Sequence, residues 1–184
     1  MTPPGNGNAQ ITGVSNQSET YLTTASAETS DESSSAKALK AGSELNIQGG
    51  EIILDSSDDS VHCNGNINIS GVTVNAKSGD DGVHADSNLV ISGGTINIEK
   101  SYEGLEGAVV TISGGDISVT ASDDGLNAGG GSDTGNSNRP GMNGFSSDSG
   151  SEYLLTISGG TLTVNASGDG LDSIGNLVVE GGEI

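Results

Sequence analysis

Residues 91–98 read ISGGTINI, and variants of this stretch recur through most of the chain. In each copy an apolar residue, a polar residue and glycine lead into a run in which apolar and polar residues alternate. The first glycines of the copies are Gly49, Gly71, Gly93, Gly114, Gly159 and Gly181. Their spacings are 22, 22, 21, 45 and 22 residues, and 45 equals one repeat of 22 plus about 23 inserted residues. A fixed internal period indicates a fold of stacked, equivalent units.

Each repeat contains three short runs with an apolar residue at every second position. One set of consecutive runs is Ile67/Ile69, Val74/Ala76 and Val83/Ala85. Alternation with a period of two is typical of β-strands, and no stretch shows a helical period. The sequence therefore predicts an all-β fold, a parallel β-helix with three short strands per rung of about 22 residues. We expect this domain at 36–184, with one long loop insertion at 129–151, and residues 1–35 as a linker, a cap or an exchanged strand.

The composition agrees with a narrow core. The chain has 184 residues with one Phe, three Tyr, no Trp and 31 Gly, and its formal net charge is −20. Low hydrophobicity with high charge is also the signature of disorder, but the regular repeat makes that reading the weaker one for residues 36–184. The negative charge argues against nucleic-acid binding, which requires a basic surface. No apolar segment indicates a signal peptide or membrane insertion in this chain.

Acidic residues recur at one turn of the repeat. The main column is Asp59, Asp81, Glu103, Asp124 and Asp169. A partial column just before it is Asp58, Asp80 and Asp123. Three residues after the main column come His62, His84, Glu106, Asn127 and Asp172, which the alternation predicts to face outward at the surface. Carboxylates stacked about 4.8 Å apart repel by about 1 kcal/mol per pair in water, and by more near a protein surface.

A divalent cation would offset this repulsion. Basic side chains cannot do so along the whole column, because the chain has only five Lys and Arg residues. Carboxylate, amide and carbonyl oxygens are the ligands of Ca²⁺, whereas zinc fits poorly because two His and one Cys lack further soft partners. The alternative is that Asp-Gly is merely favourable turn chemistry. Lys37 precedes Asp59 by 22 residues, so it either neutralises the end of the column or is a solvated side chain.

The insertion at 129–151 carries the only Arg and the only Phe of the protein, Arg139 and Phe145. Long loops on rigid scaffolds often hold ligands, although a Gly- and Ser-rich loop can also be filler. The candidate ligand-binding residues are Arg139, Phe145, His62, His84 and Asn127.

Three stretches carry a resemblance to a known family: SGGTINI at 92–98, DDGVHADSNLVISGG at 80–94, and the glycine-rich insertion followed by GDGLDS at 168–173. Over residues 33–184 the chain resembles the bacterial carbohydrate-binding-domain family of extracellular, cell-surface β-helix proteins. The resemblance implies a right-handed, pectate-lyase-like parallel β-helix with bound calcium. It also implies binding of acidic plant polysaccharide, such as polygalacturonate, without cleavage.

Carried over by position, the resemblance implies metal ligands in the acidic turns. These are Asp58, Asp59, Asp80, Asp81, Asp123, Asp124, Asp169 and Asp172, with Glu103 and Glu106 in a turn that departs from the Asp-Asp-Gly pattern. Calcium with an open position would take a uronate carboxylate, which resolves the apparent conflict between an acidic protein and an acidic polymer.

The two other classes of function to consider for this sequence are an enzyme and a structural protein. A lyase-like enzyme needs a strong base beside the metal, and the few Lys residues form no cluster, so we expect no catalysis. A self-assembling surface β-helix, in which calcium only links the rungs, is the alternative, with end-to-end association through exposed sheet edges. Calcium sites of this kind suit millimolar calcium, which favours an extracellular or cell-surface location.

Overall fold

The computed structural model describes residues 36–129 and 153–184 together with the backbone of two N-terminal strands. In chain order the strands are β1 (Gln10–Asn16), β2 (Glu19–Thr24), β3 (Leu39–Ala41), β4 (Glu44–Gln48), β5 (Glu51–Asp55), β6 (Val61–Cys63) and β7 (Asn66–Ser70). They continue with β8 (Thr73–Lys77), β9 (Val83–Ser101), β10 (Leu105–Ala121), β11 (Leu126–Ala128), β12 (Leu154–Ala166), β13 (Leu171–Ser173) and β14 (Asn176–Glu183). The described residues contain no helix, and therefore no helix that is long and apolar enough to span a membrane.

The strands stack in parallel as a β-solenoid, which confirms the predicted fold class. One ladder of paired residues runs through six successive turns: Leu39, Val61, Val83, Leu105, Leu126 and Leu171. We number the rungs 1 to 6 by this ladder. Strands β9 and β10 each run through the three strand positions of a turn without interruption.

The core is a narrow column of aliphatic side chains. The inward residues of β9 are completely buried, namely Val83, Ala85, Leu89, Ile91, Ile96 and Ile98. Each contacts its equivalents in the rungs above and below, as in the pairing of Ile69 with Ile91. In rung 6, by contrast, Leu177 and Val179 are exposed, because no described rung covers them.

The Gly-Gly pairs of the repeat form a corner of each rung. The second glycine has positive φ in most copies, for example 103° at Gly94. In the copy that reads ISGVTV the first glycine, Gly71, takes the positive φ instead, at 63°. Val72 can then turn inward and is buried in the core. The valine in this copy therefore follows from a shift of the corner by one residue.

Of the two N-terminal strands, β1 runs against the direction of the solenoid. Strand β1 pairs antiparallel with β2 on one side and with β5 on the other. Because β5 also pairs with β8 in parallel, it has a neighbour on each edge. Most of the predicted insertion, including Arg139 and Phe145, lies outside the described residues.

Candidate functional site

The acidic column links the rungs through the backbone. The Asp59 carboxylate accepts a hydrogen bond from the N–H of Asp81 at 3.1 Å, and Asp81 accepts one from the N–H of Glu103 at 3.2 Å. Asp124 accepts one from the N–H of Asp169 at 2.7 Å. Each bond uses one carboxylate oxygen and leaves the other for a further partner. This role was missed from the sequence, although the in-step spacing of the column contains the signal.

Lys37 neutralises the start of the column. Its Nζ donates to Asp59 Oδ2 at 2.6 Å and to Asp58 Oδ2 at 3.2 Å, and its side chain is 3% exposed. The alternative of a solvated lysine is therefore wrong. Burial alone would raise the pKa of Asp59, but hydrogen bonds from His62 and Lys37 outweigh it and lower the pKa to about 2.

This pKa predicts a specific acid sensitivity. The ordinary value of the Asp59 carboxyl is 3.8, so its ionic contacts stabilise the fold above that pH and are lost as the pH falls through about 2. The shift corresponds to roughly 2 kcal/mol in the free energy of unfolding. In urea titrations between pH 5 and pH 2, we expect the difference in stability between wild type and Asp59→Asn to shrink by that amount. A difference that stays constant over this range would contradict the assignment.

The two histidines are buried, which corrects the expectation that they lie at the surface. His62 is 1% exposed, His84 4% and Glu106 7%. The alternation itself holds, because Val61 and Cys63 on either side of His62 are in the core. The acidic turn covers the imidazoles: His62 Nδ1 donates to Asp59 Oδ2 at 2.9 Å. Alternation shows on which side a residue lies but not what covers it.

His84 lies among three carboxylates. Its Nδ1 is 3.0 Å from Asp81 Oδ2 and 2.8 Å from Glu106 Oε2, and its Nε2 is 3.3 Å from Asp86 Oδ1. Burial opposes charge on the imidazole, but the hydrogen bonds to Asp81 and Glu106 raise the pKa of His84 to about 11. Burial and the neighbouring Glu106 carboxylate raise the pKa of Asp81 to about 8, against the hydrogen bond from His84. The sequence reasoning missed Asp86, although its place two residues after His84 puts it on the same side of the strand.

The acidic turns of rungs 5 and 6 lack such a cation within the described residues. Asp123, Asp124 and Asp172 are half-buried there, and Asp169 is exposed. Burial raises the pKa of Asp124, and the neighbouring carboxylates raise it further, against the hydrogen bond from Asp169 N–H. No Lys or His within 36–129 and 153–184 forms an ion pair with these four side chains. Within the part of the chain that the structure describes, no cationic side chain therefore balances the negative charge at this end of the column.

Asn127 adds an oxygen to the same set. Its Nδ2 donates to Glu103 Oε2 at 2.9 Å, while its Oδ1 is buried without a hydrogen-bond partner. The residue pairs in register with Asp172 of the next rung. A buried carbonyl oxygen without a donor is uncommon and favours a cation or an ordered water as its partner.

Three groups in rungs 2 to 4 have ligand atoms within 4.8 Å of one another: Asp59/His62/His84, Asp81/His84/Glu106 and Asp58/Asp59/Asp80. The first two mix nitrogen with oxygen, which suits metals that accept imidazole better than it suits calcium. The third is all oxygen, but Lys37 already contacts two of its members. The set of rungs 5 and 6 offers only oxygen ligands, but its carboxylates are not among the groups whose ligand atoms lie within 4.8 Å of one another.

Comparison with known proteins gives a family. No curated protein and no solved structure matches the chain significantly. The family described as carbohydrate-binding domain-containing protein matches residues 5–82 and again residues 81–125. These segments together span well over half of the 184 residues, and they include the acidic turns of rungs 2 to 5. The chain therefore belongs to the family of carbohydrate-binding domain-containing proteins.

Proposed function

We propose that this carbohydrate-binding domain holds acidic polysaccharide, such as polygalacturonate, through calcium in the turns of rungs 5 and 6, without cleaving it. The observation that carries the proposal is the buried, unpartnered Oδ1 of Asn127 beside four carboxylates that no described cation balances. Family membership supports a sugar ligand. The charge pattern supports the dependence on calcium.

The donor set fits calcium. Asp123, Asp124, Asp169, Asp172 and Asn127 offer only carboxylate and amide oxygens, the ligands that calcium prefers. Partial exposure of these side chains leaves room for a ligand group from outside. Bound calcium would supply the positive charge that a uronate carboxylate needs on a protein with a formal net charge of −20. Sites of this class suit millimolar calcium, so we expect the domain to work outside the cell.

Binding is favoured over catalysis by the positions of the basic side chains. A lyase-like reaction requires a strong base beside the metal and the substrate. Lys37 is buried against Asp59, and Lys77 pairs with Glu99 at 3.0 Å. His62 and His84 are buried under the turn and are not open to a polymer. Among the described residues, none of these four groups is placed to serve as such a base.

The test is a calorimetric titration of polygalacturonate oligomers into the protein, with calcium and after chelation, while circular dichroism follows the fold. For Asp124→Asn we expect calcium affinity and uronate affinity to fall together by about tenfold or more, because a charged ligand is lost. Asp116→Asn is the matched control, because Asp116 is an exposed residue of β10 that lies away from the acidic turn. Its replacement should change either affinity by less than about twofold.

Two results would contradict the proposal. Equal uronate binding by a folded protein after chelation would exclude the calcium link. Equal losses in Asp124→Asn and Asp116→Asn would show that overall charge, rather than the turn, determines binding.

A further inference from the structure

Rungs 2 to 4 contain a buried arrangement that calcium-dependent sugar binding does not use. Two carboxylate oxygens, Asp81 Oδ2 and Glu106 Oε2, approach the same ring nitrogen, His84 Nδ1, at 3.0 and 2.8 Å. One ring nitrogen carries at most one hydrogen, so it cannot donate to both carboxylates fully. All three residues are less than a tenth exposed, and water cannot relieve the conflict readily. The two carboxylates therefore require a proton or a cation between them.

The unpartnered nitrogens of the histidines are an independent observation. His62 Nε2 is buried and has no hydrogen-bond partner, in a residue that is 1% exposed. His84 Nε2 and Asp86 Oδ1 lie 3.3 Å apart, yet each is also buried without a hydrogen bond. The two imidazole rings are neighbours, with centroids 4.9 Å apart. Several buried polar atoms without partners in one place indicate a ligand or ion that completes them.

We propose that this cluster binds one divalent transition-metal ion of the Zn²⁺ class, through His84, Asp81 and Glu106, with His62 as a second imidazole beside it. Imidazole and carboxylate together are typical ligands of such metals. Metal–ligand bonds of about 2.0–2.2 Å place neighbouring tetrahedral ligands about 3.3 Å apart. The donor separations of 2.8 and 3.0 Å at His84 Nδ1 reach this value with shifts of a few tenths of an ångström.

The site joins three rungs. His62 belongs to rung 2, Asp81 and His84 to rung 3, and Glu106 to rung 4, since they occupy equivalent positions in the paired strands. A metal there would replace the proton that Asp81 and Glu106 otherwise have to share. It would thus link rungs 2 to 4 to one another. Rungs 5 and 6 have no equivalent imidazole, because Asn127 and Asp172 occupy the corresponding positions.

The test uses the full chain without a histidine tag, stripped of metal by chelation. Titration with Zn²⁺ is expected to give one site per chain, and Co²⁺ is expected to give the visible absorption bands of a low-coordinate nitrogen and oxygen site. In His84→Gln and Glu106→Gln we expect Zn²⁺ affinity to fall at least about tenfold. Replacing even a residue that only supports a metal ligand causes losses of this order. Asp124→Asn, in the calcium set, should change Zn²⁺ affinity by less than about twofold.

Electron paramagnetic resonance of the wild type with one equivalent of Cu²⁺ tests the site without any variant. Splitting from imidazole nitrogen is expected. Its absence, or Zn²⁺ binding of equal strength in wild type and Glu106→Gln, would overturn the proposal in favour of a carboxyl pair that shares a proton. The outcome is independent of the sugar site, because the readouts are Zn²⁺ affinity and the Cu²⁺ spectrum and not the binding of polygalacturonate.

Discussion

Replacing Lys37 with methionine is expected to lower the free energy of unfolding by about 3–5 kcal/mol, because it leaves a buried carboxylate without its cation. The ammonium group lies 2.6 Å from Asp59 Oδ2, and the two side chains are 3% and 1% exposed. Methionine keeps most of the length of lysine, so lost packing contributes little. Urea unfolding at pH 7 measures the effect.

Lys40→Met is the matched control for Lys37→Met. Lys40 lies three residues after Lys37 and is exposed, and we expect its replacement to change stability by less than about 0.5 kcal/mol. A double variant, Lys37→Met with Asp59→Asn, should recover part of the loss, because the uncompensated charge is removed with its partner. If the double variant were as unstable as the sum of the single variants, the loss would come from packing and not from the ion pair.

Gly94→Ala is expected to destabilise the fold by about 3 kcal/mol, since positive φ and close backbone packing both oppose a side chain there. The φ angle of Gly94 is 103°, and a Cβ atom would lie 2.5 Å from the carbonyl oxygen of Val72 in the rung below. That oxygen is in the backbone of a paired rung and cannot move alone. Thermal and urea unfolding report the loss.

Gly42→Ala is the control for Gly94→Ala. A Cβ atom at Gly42 would meet nothing within 4 Å, and its φ is not in the positive range. We expect its stability to stay within about 0.5 kcal/mol of wild type. Similar losses in the two variants would show that the Gly-Gly corner has no special geometric requirement.

The stacking and the core could be predicted because both depend on the chain's period. A repeat of about 22 residues places Ile69 beside Ile91 whatever the details of the turns, and the observed pairing is that one. Alternation likewise determines which residues face inward, so the buried residues of β9 follow from the sequence. Neither result requires knowledge of side-chain contacts.

The burial of the acidic column and its ion pairs was harder to predict, because the alternation of residues does not show which side chains are removed from water. The 22-residue spacing brings Lys37 to Asp59, but only the structure shows that both are buried. In the same way, the column of His62 and His84 was predicted, whereas its cover by carboxylates was not. The pairing of β1 with β5 was also beyond sequence reasoning, since β1 lies outside the repeat.

The antiparallel β1 bears on how such a domain changes length during evolution. Each rung contacts only the rungs above and below it, so a duplicated rung inserted after β5 keeps every existing register. Rung 5 already tolerates extra chain between β11 and β12 without loss of pairing on either side. A rung added before β5 would instead separate it from β1. A whole repeat can therefore be added without loss of the existing strand pairing only on the side of β5 that is away from β1.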